Sequence, residues 1–383
     1  MLQFLPLIVK SSLRSKRRSL LTIASAAIAL CLLGMLIAMY HTLYVAGAPP
    51  EQALLMITRN RVSPAIKLPL EYENRIRHVP GVQEVLALQY FGGTYKDSRN
   101  IFGRYAVDRK HLFAMHADHK ISRDQKLAFE REKTGAVAAK GLADRFGWKI
   151  GDRVTLKGDF FPVTVDLILV GTFENAQDNN VLLFGIDYLF DLVPQRLKNQ
   201  VFAFEVQADS PASVPRISRE IDELFRNSPA RTKTEAERAY QLTFLSMLGN
   251  VRGFLASIGL ALTFTLLLVT GNTMAMAARE RVREVGILKT LGFSTTGILA
   301  MILGESVFLA LIGGLFGCGF AELFISLVSR LPVVIVPLAG LNLNGLLVTV
   351  LLLVGVAISL ASALIPAWSA ARTPILEALH FSD

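Results

Sequence analysis

Residues 19–50 read SLLTIASAAIALCLLGMLIAMYHTLYVAGAPP, a run without one Asp, Glu, Lys or Arg between Arg18 and Glu51. Crossing a hydrocarbon core takes ~20 apolar residues of helix, so this run is long enough to span. Working outward, the interval from Arg252 to Arg279 is equally free of charge, and so is the longer one from Arg330 to Arg372. A fourth apolar stretch, 295–328, carries only Glu305 and Glu322. The four intervals predict membrane-spanning helices at 20–44, 253–278, 295–328 and 344–371. They also account for the 52% hydrophobic content of the 383-residue chain, which would otherwise suit two or three soluble domains.

The first run follows a basic leader, Lys10, Arg14, Lys16, Arg17 and Arg18. A cleaved signal has an apolar core of about 7 to 15 residues, so the longer run here reads as a signal anchor. Orientation follows from the bases nearest the span ends. The leader has five, the segment after the second span has Arg279, Arg281, Arg283 and Lys289, and the loop between the third and fourth spans has only Arg330. These place segments 1–19 and 279–294 and the tail 372–383 in the cytoplasm, with 45–252 and the loop 329–343 outside. The expected location is therefore the inner (plasma) membrane, crossed several times. About half of the +9 net charge lies outside residues 45–252, where it serves topology, and little is left to support a nucleic-acid partner. Both cysteines, Cys31 and Cys318, fall within predicted spans, so no disulfide can brace the large external segment.

That segment, 45–252, has globular composition. Short β-prone runs at 82–90, 153–156, 163–170 and 201–206 are bounded by turn residues, and 70–78 and 136–146 read as helices. The expectation is a mixed α+β domain between the first and second spans, large enough to divide into two lobes. At its end Thr234 and Glu237 have capping-box spacing, and no proline follows before Ala278. This predicts a stalk helix running into the second span, the alternative being a break near Gly249 or Gly253.

Residues 279–293, RERVREVGILKTLGF, place Val282, Val285, Leu288 and Leu291 at three-residue intervals among charges, the pattern of an amphipathic helix that Gly292 ends. On residues alone this is a juxtamembrane helix with or without a partner. The run Glu280 to Gly292 followed by Ile298, Glu305, Gly313, Gly314 and Gly317 resembles the signature of FtsX-like permeases, the MacB, LolC/LolE and FtsX group of ABC transporters. Pro366 to Arg372 with Pro374, Glu377, Ala378 and Leu379 is similar to that family's closing motif. Gly135 to Val137, Gly141 to Ala143, Phe146-Gly147 and Gly151 to Val154 resemble the MacB-type periplasmic core domain.

The resemblance implies an α-helical membrane protein whose residues 279–292 are a coupling helix seated in a groove of a cytoplasmic ABC ATPase. Arg279, Glu280, Arg281, Arg283, Glu284, Lys289 and Gly292 are then the coupling residues. It further implies a homodimer or a heterodimer with a homologous permease, and leaves room for a periplasmic adaptor of the membrane-fusion type. No GxxxxGK[ST] loop is present, and GAVAAK at 135–140 does not supply one, so the chain itself is expected to be non-catalytic and to hold no cofactor. ATP would be bound by a separate partner subunit, without the N-terminal ATPase domain fused to MacB-type members.

Gly313, Gly314 and Gly317 suit close helix packing within the chain or across a dimer. Glu305 and Glu322 should face a polar interior, an interface or water near a span end. His111, His116 and His119, with Asp108 and Asp118, fit no strong metal motif, and the expectation there is a solvated helix or loop. A non-transporting regulator of cell-wall hydrolases, a secondary transporter or channel, and a membrane-anchored enzyme are the rival readings. The third lacks any catalytic constellation.

Overall fold

The structure, a computed structural model, describes residues 16–46, 52–175, 180–247, 249–280, 282–328 and 341–374. Lys10, Arg14, Arg281, Arg330 and the closing-motif residues Glu377 to Leu379 lie outside them. The chain divides into two compact units, one made of helices and one built on a sheet.

The helical unit holds four helices long and apolar enough to cross a membrane. They are α1 (Lys16–Tyr40), which continues as a π-turn over His41–Val45, α9 (Val251–Glu280), α11 (Thr295–Val328) and α12 (Gly345–Arg372). A short helix, α10 (Val282–Thr290), joins α9 to α11. Without a hydrophobic drive between helices in lipid, small residues and close contact must hold them together. The sequence supplies both. A Cβ on Gly313 would lie 2.8 Å from Ala26 Cβ of α1, and one on Gly317 would lie 2.8 Å from the Ala27 carbonyl oxygen. A Cβ on Gly314 would meet Leu352 of α12 at 2.7 Å and Leu30 of α1 at 3.5 Å. Ala26, Leu30, Leu33, Leu266, Cys318, Leu351 and Ile358 form the buried cluster where the four helices meet. Ser359 Oγ of α12 donates to the Ser306 carbonyl of α11 at 3.0 Å, a polar tie between two spans.

The second unit carries the strands β1 (Leu55–Asn60), β2 (Leu68–Pro69), β3 (Val82–Tyr90), β4 (Gly103–Val107), β5 (Gly135–Ala139), β6 (Arg153–Lys157), β7 (Thr164–Phe173), β8 (Val181–Gly185), β9 (Gln200–Val201), β10 (Ala203–Ala208) and β11 (Thr232–Ala236). Its helices are α2 (Tyr72–Arg77), α3 (Leu112–Met115), α4 (Arg123–Arg131), α5 (Lys140–Phe146), α6 (Ile186–Leu192), α7 (Val214–Leu224) and α8 (Glu237–Met247). Nine strands form one sheet in the order β11-β1-β10-β3-β4-β8-β5-β7-β6, and β2 pairs with β9 beside it. The expected two lobes are therefore hydrogen-bonded into one body, joined where β3 pairs with β4 and β4 runs parallel to β8. One continuous core, rich in Phe, underlies the whole sheet.

Two local expectations give way. Ala136 to Ala139 belong to a strand, because β5 lies between β7 and β8 with all five of its residues buried, and only Lys140 onward is helical. Thr234 does not cap a helix: it sits on β11 opposite Thr58 of β1 and shares a 3.0 Å hydroxyl hydrogen bond with it. Helix α8 starts at Glu237, and a break follows it at Gly249, whose φ of +107° is helix-incompatible. The Asn250 side chain then caps α9 by accepting from the Gly253 N–H at 2.9 Å. The stalk is thus two helices, as the alternative reading had it.

Candidate functional site

Helix α10 owes its position to one apolar face. Val282, Val285 and Gly286 are buried and Leu288 is half-buried. Val285 and Leu288 pack in one cluster with Ala278 of α9, Ile298 and Ile302 of α11, and Ala367, Ala370 and Ala371 of α12. The three alanines matter because a larger side chain would hold α10 off. Four further hydrogen bonds stiffen this elbow. The Gly292 N–H donates to the Lys289 carbonyl and the Phe293 N–H to the Leu288 carbonyl, both at 3.1 Å, with Gly292 at φ +90°. This is a Schellman ending, which needs a left-handed residue and so favours Gly. Next, Ser294 Oγ accepts from the Gly297 N–H at 3.2 Å, capping α11. Lys289 Nζ donates to the Thr373 carbonyl at 2.6 Å, tying the end of α10 to the end of α12.

The outward side differs from the expected one. Leu291, placed in the apolar stripe by its spacing, lies one residue past the helix end and is 70% exposed. Ile287 is also uncovered, at 47% exposed. Arg279 and Glu280 are exposed at the end of α9, Glu284 is half-buried, and Arg283 lies on α10. Of the expected coupling residues, Lys289 is engaged within the chain, and Gly292 acts through the backbone.

The FtsX-like permease C-terminal model matches residues 253–375, and the MacB-like periplasmic core domain model matches residues 19–224. The chain belongs to the MacB/FtsX-type ABC transporter permeases. An ABC transporter permease of Methanocaldococcus jannaschii is 28% identical over 67% of this chain and 65% of its own length. The macrolide export ATP-binding/permease protein MacB of Bdellovibrio bacteriovorus is 24% identical over 40% of this chain and 24% of its own. This permease thus spans less than two thirds of those relatives. The solved periplasmic region of MacB from Actinobacillus actinomycetemcomitans aligns with 50% of this chain and 92% of its own, at 10% identity and a TM-score of 0.38.

Elsewhere in this permease, Gly313, Gly314 and Gly317 all meet helices of the same chain. Glu305 is buried within the helical unit, whereas Glu322 faces outward. The histidines depart from expectation. His119 is only 6% exposed, its ring stacked between Phe173 and His116 at centroid distances of 4.5 and 4.7 Å. His116 Nε2 lies 3.0 Å from Glu205 Oε2, a buried carboxylate on β10. Burial and the neighbouring His116 charge push the His119 imidazole down to about 4, so it is neutral near pH 7. Burial alone would raise Glu205, but His116 beside it holds the carboxyl below its ordinary value. The sequence gives no cue to this cluster, because Phe173 and Glu205 come from distant strands.

Proposed function

We propose that this chain is the permease subunit of an ABC transporter, coupling a separate cytoplasmic ATPase to the α+β domain on the far side of the inner membrane, for export or extraction of a substrate there. In this reading the N- and C-termini are cytoplasmic, and two permease chains, identical or homologous, pair with two ATPase subunits. A periplasmic adaptor would complete an export route. The MacB relatives, described as ATP-binding/permease proteins for macrolide export, support the class. The observation that carries the reading is the α10 elbow, braced on α9, α11 and α12 while Ile287 and Leu291 stay uncovered.

A helix fixed to three spans transmits displacement to all of them, and exposed apolar side chains suit a groove in a partner protein. The contact thus rests on these apolar side chains, with the charges of Arg279, Glu280, Arg281 and Arg283 steering association. The paired substitution Ile287→Asp with Leu291→Asp should abolish co-purification of the ATPase without unfolding the permease, since neither side chain is buried. Reversing charge at Arg281 and Arg283 should slow association and flatten or invert its dependence on salt. Full ATPase binding by the Asp pair would sink the coupling assignment.

A further inference from the structure

Between β4 and α4 the chain presents His116, Asp118 and His119, whose ligand atoms all lie within 4.8 Å of one another. We infer that these three side chains form a binding site for a divalent transition-metal ion of the Zn2+ type, with Glu205 as the residue that positions His116.

Four observations carry this. First, both ring nitrogens of His119 are buried without a hydrogen-bond partner. Leaving such a group unsatisfied costs about 1–3 kcal/mol, and a metal bond removes the deficit at one nitrogen. Second, His116 Nε2 lies 3.0 Å from Glu205 Oε2, and a carboxylate can only accept there, so Nε2 keeps its proton and the ring would bind a metal through Nδ1, releasing the Nδ1 proton as it does so. That is the carboxylate–histidine arrangement that orients metal-binding imidazoles.

Third, His116 Nδ1 is 3.9 Å from Asp118 Oδ1, too far for a hydrogen bond. Two ligands each ~2.0–2.1 Å from a tetrahedral Zn2+ sit roughly 3.4 Å apart, so closing this pair takes about half an ångström. Fourth, the loop is anchored. Asp118 Oδ2 accepts from Asn175 Nδ2 at 2.8 Å, and Lys120 and Glu174 exchange both backbone hydrogen bonds at 2.9 Å.

The two imidazoles now stack at an interplanar angle of 11°. Binding needs them to tilt toward a common point, about the soft ring torsion that histidine allows. Two nitrogens and one oxygen favour Zn2+ and its neighbours over Ca2+ or Mg2+. The ion's two charges would balance Asp118 and Glu205. Asp118, part-exposed, leaves the entry path and a coordination position open.

The test uses the full chain in lipid nanodiscs, stripped with a chelator and titrated with Zn2+ by calorimetry and with Co2+ by visible absorption. One ion per chain is expected, with a Co2+ ligand-field band. Asp118→Asn and His119→Gln should each weaken Zn2+ binding at least ~10-fold, and Glu205→Gln by ~10- to 100-fold, as loss of a supporting carboxylate does. His111→Ala, which alters the separate trio Glu73, Asp108 and His111, should leave the affinity unchanged. If His119→Gln loses the near-UV signal of folded Trp148, Asp118→Asn decides alone. The assignment is overturned by wild-type chain that takes up no stoichiometric ion, by unchanged affinity in Asp118→Asn, or by loss of binding in His111→Ala.

Discussion

Gly317 and Gly319 lie two residues apart on α11 and meet different surroundings. A methyl at 317 would strike the Ala27 carbonyl at 2.8 Å and the Cys31 nitrogen at 3.1 Å, whereas nothing lies within 4 Å of one at 319. Backbone atoms of α1 cannot swing aside as a side chain would, so the helix itself must move. Gly317→Ala is expected to cost ~1–3 kcal/mol, as overpacking does, and to lower the thermal midpoint in detergent. Gly319→Ala should hold or slightly raise it, since alanine is the better helix former. Equal midpoints would mean that α1 and α11 do not meet at Gly317. Arg59 makes a similar residue-level claim. Its guanidinium donates to Glu235 at 2.9 Å from inside the sheet, with side-chain exposures of 5% and 12%. Lys233 also reaches Glu235, at 2.8 Å, so Arg59→Ala does not strand the carboxylate. A loss nearer ~1 than ~4 kcal/mol is expected from the chemical midpoint.

At the scale of elements, α10 depends on its ending as much as on its face. Gly292→Ala keeps every contact and adds only left-handed backbone strain, at a cost of ~1 kcal/mol. Amide exchange over 282–292 should quicken several-fold while the α+β domain is unaffected, and no change would show that the Schellman turn does not hold the elbow. The ending was readable from Gly292, and so were the four spans, since apolar length is a constraint that tertiary context cannot override. The strand at 82–90 was equally plain. What stayed hidden depended on partners far along the chain. The alanines of β5 have no β-branched signature except Val137 and become strand only because β7 and β8 enclose them. Thr234 looked like a cap until β1 paired with it. His119 looked solvated because spacing says nothing of Phe173. The exposure of Leu291 was missed because the three-residue rhythm was carried one step beyond the last helical turn.

For the whole molecule, the decisive fact is that both connections from the spans enter the α+β domain on neighbouring strands. β1 is the first strand after α1, and β11 immediately precedes α8 and, through Gly249, α9. The two strands pair antiparallel over five residues, from Met56 opposite Ala236 to Asn60 opposite Thr232. Beyond β1 the sheet continues without interruption to β6. A body rooted this way is suited to moving as a unit. If the proposed transmission works so, locking the root should not impair it. Thr58 and Thr234 are directly opposite with their hydroxyls 3.0 Å apart, so Thr58→Cys with Thr234→Cys offers a cross-strand disulfide in a domain that has no cysteine of its own. The oxidised variant should gain ~2–4 kcal/mol of stability, lost on reduction, because the bridge closes a long loop in the unfolded chain. Its stimulation of the partner ATPase should match that of the reduced form. Activity lost on oxidation and recovered with reductant would mean instead that β1 and β11 must part during the cycle.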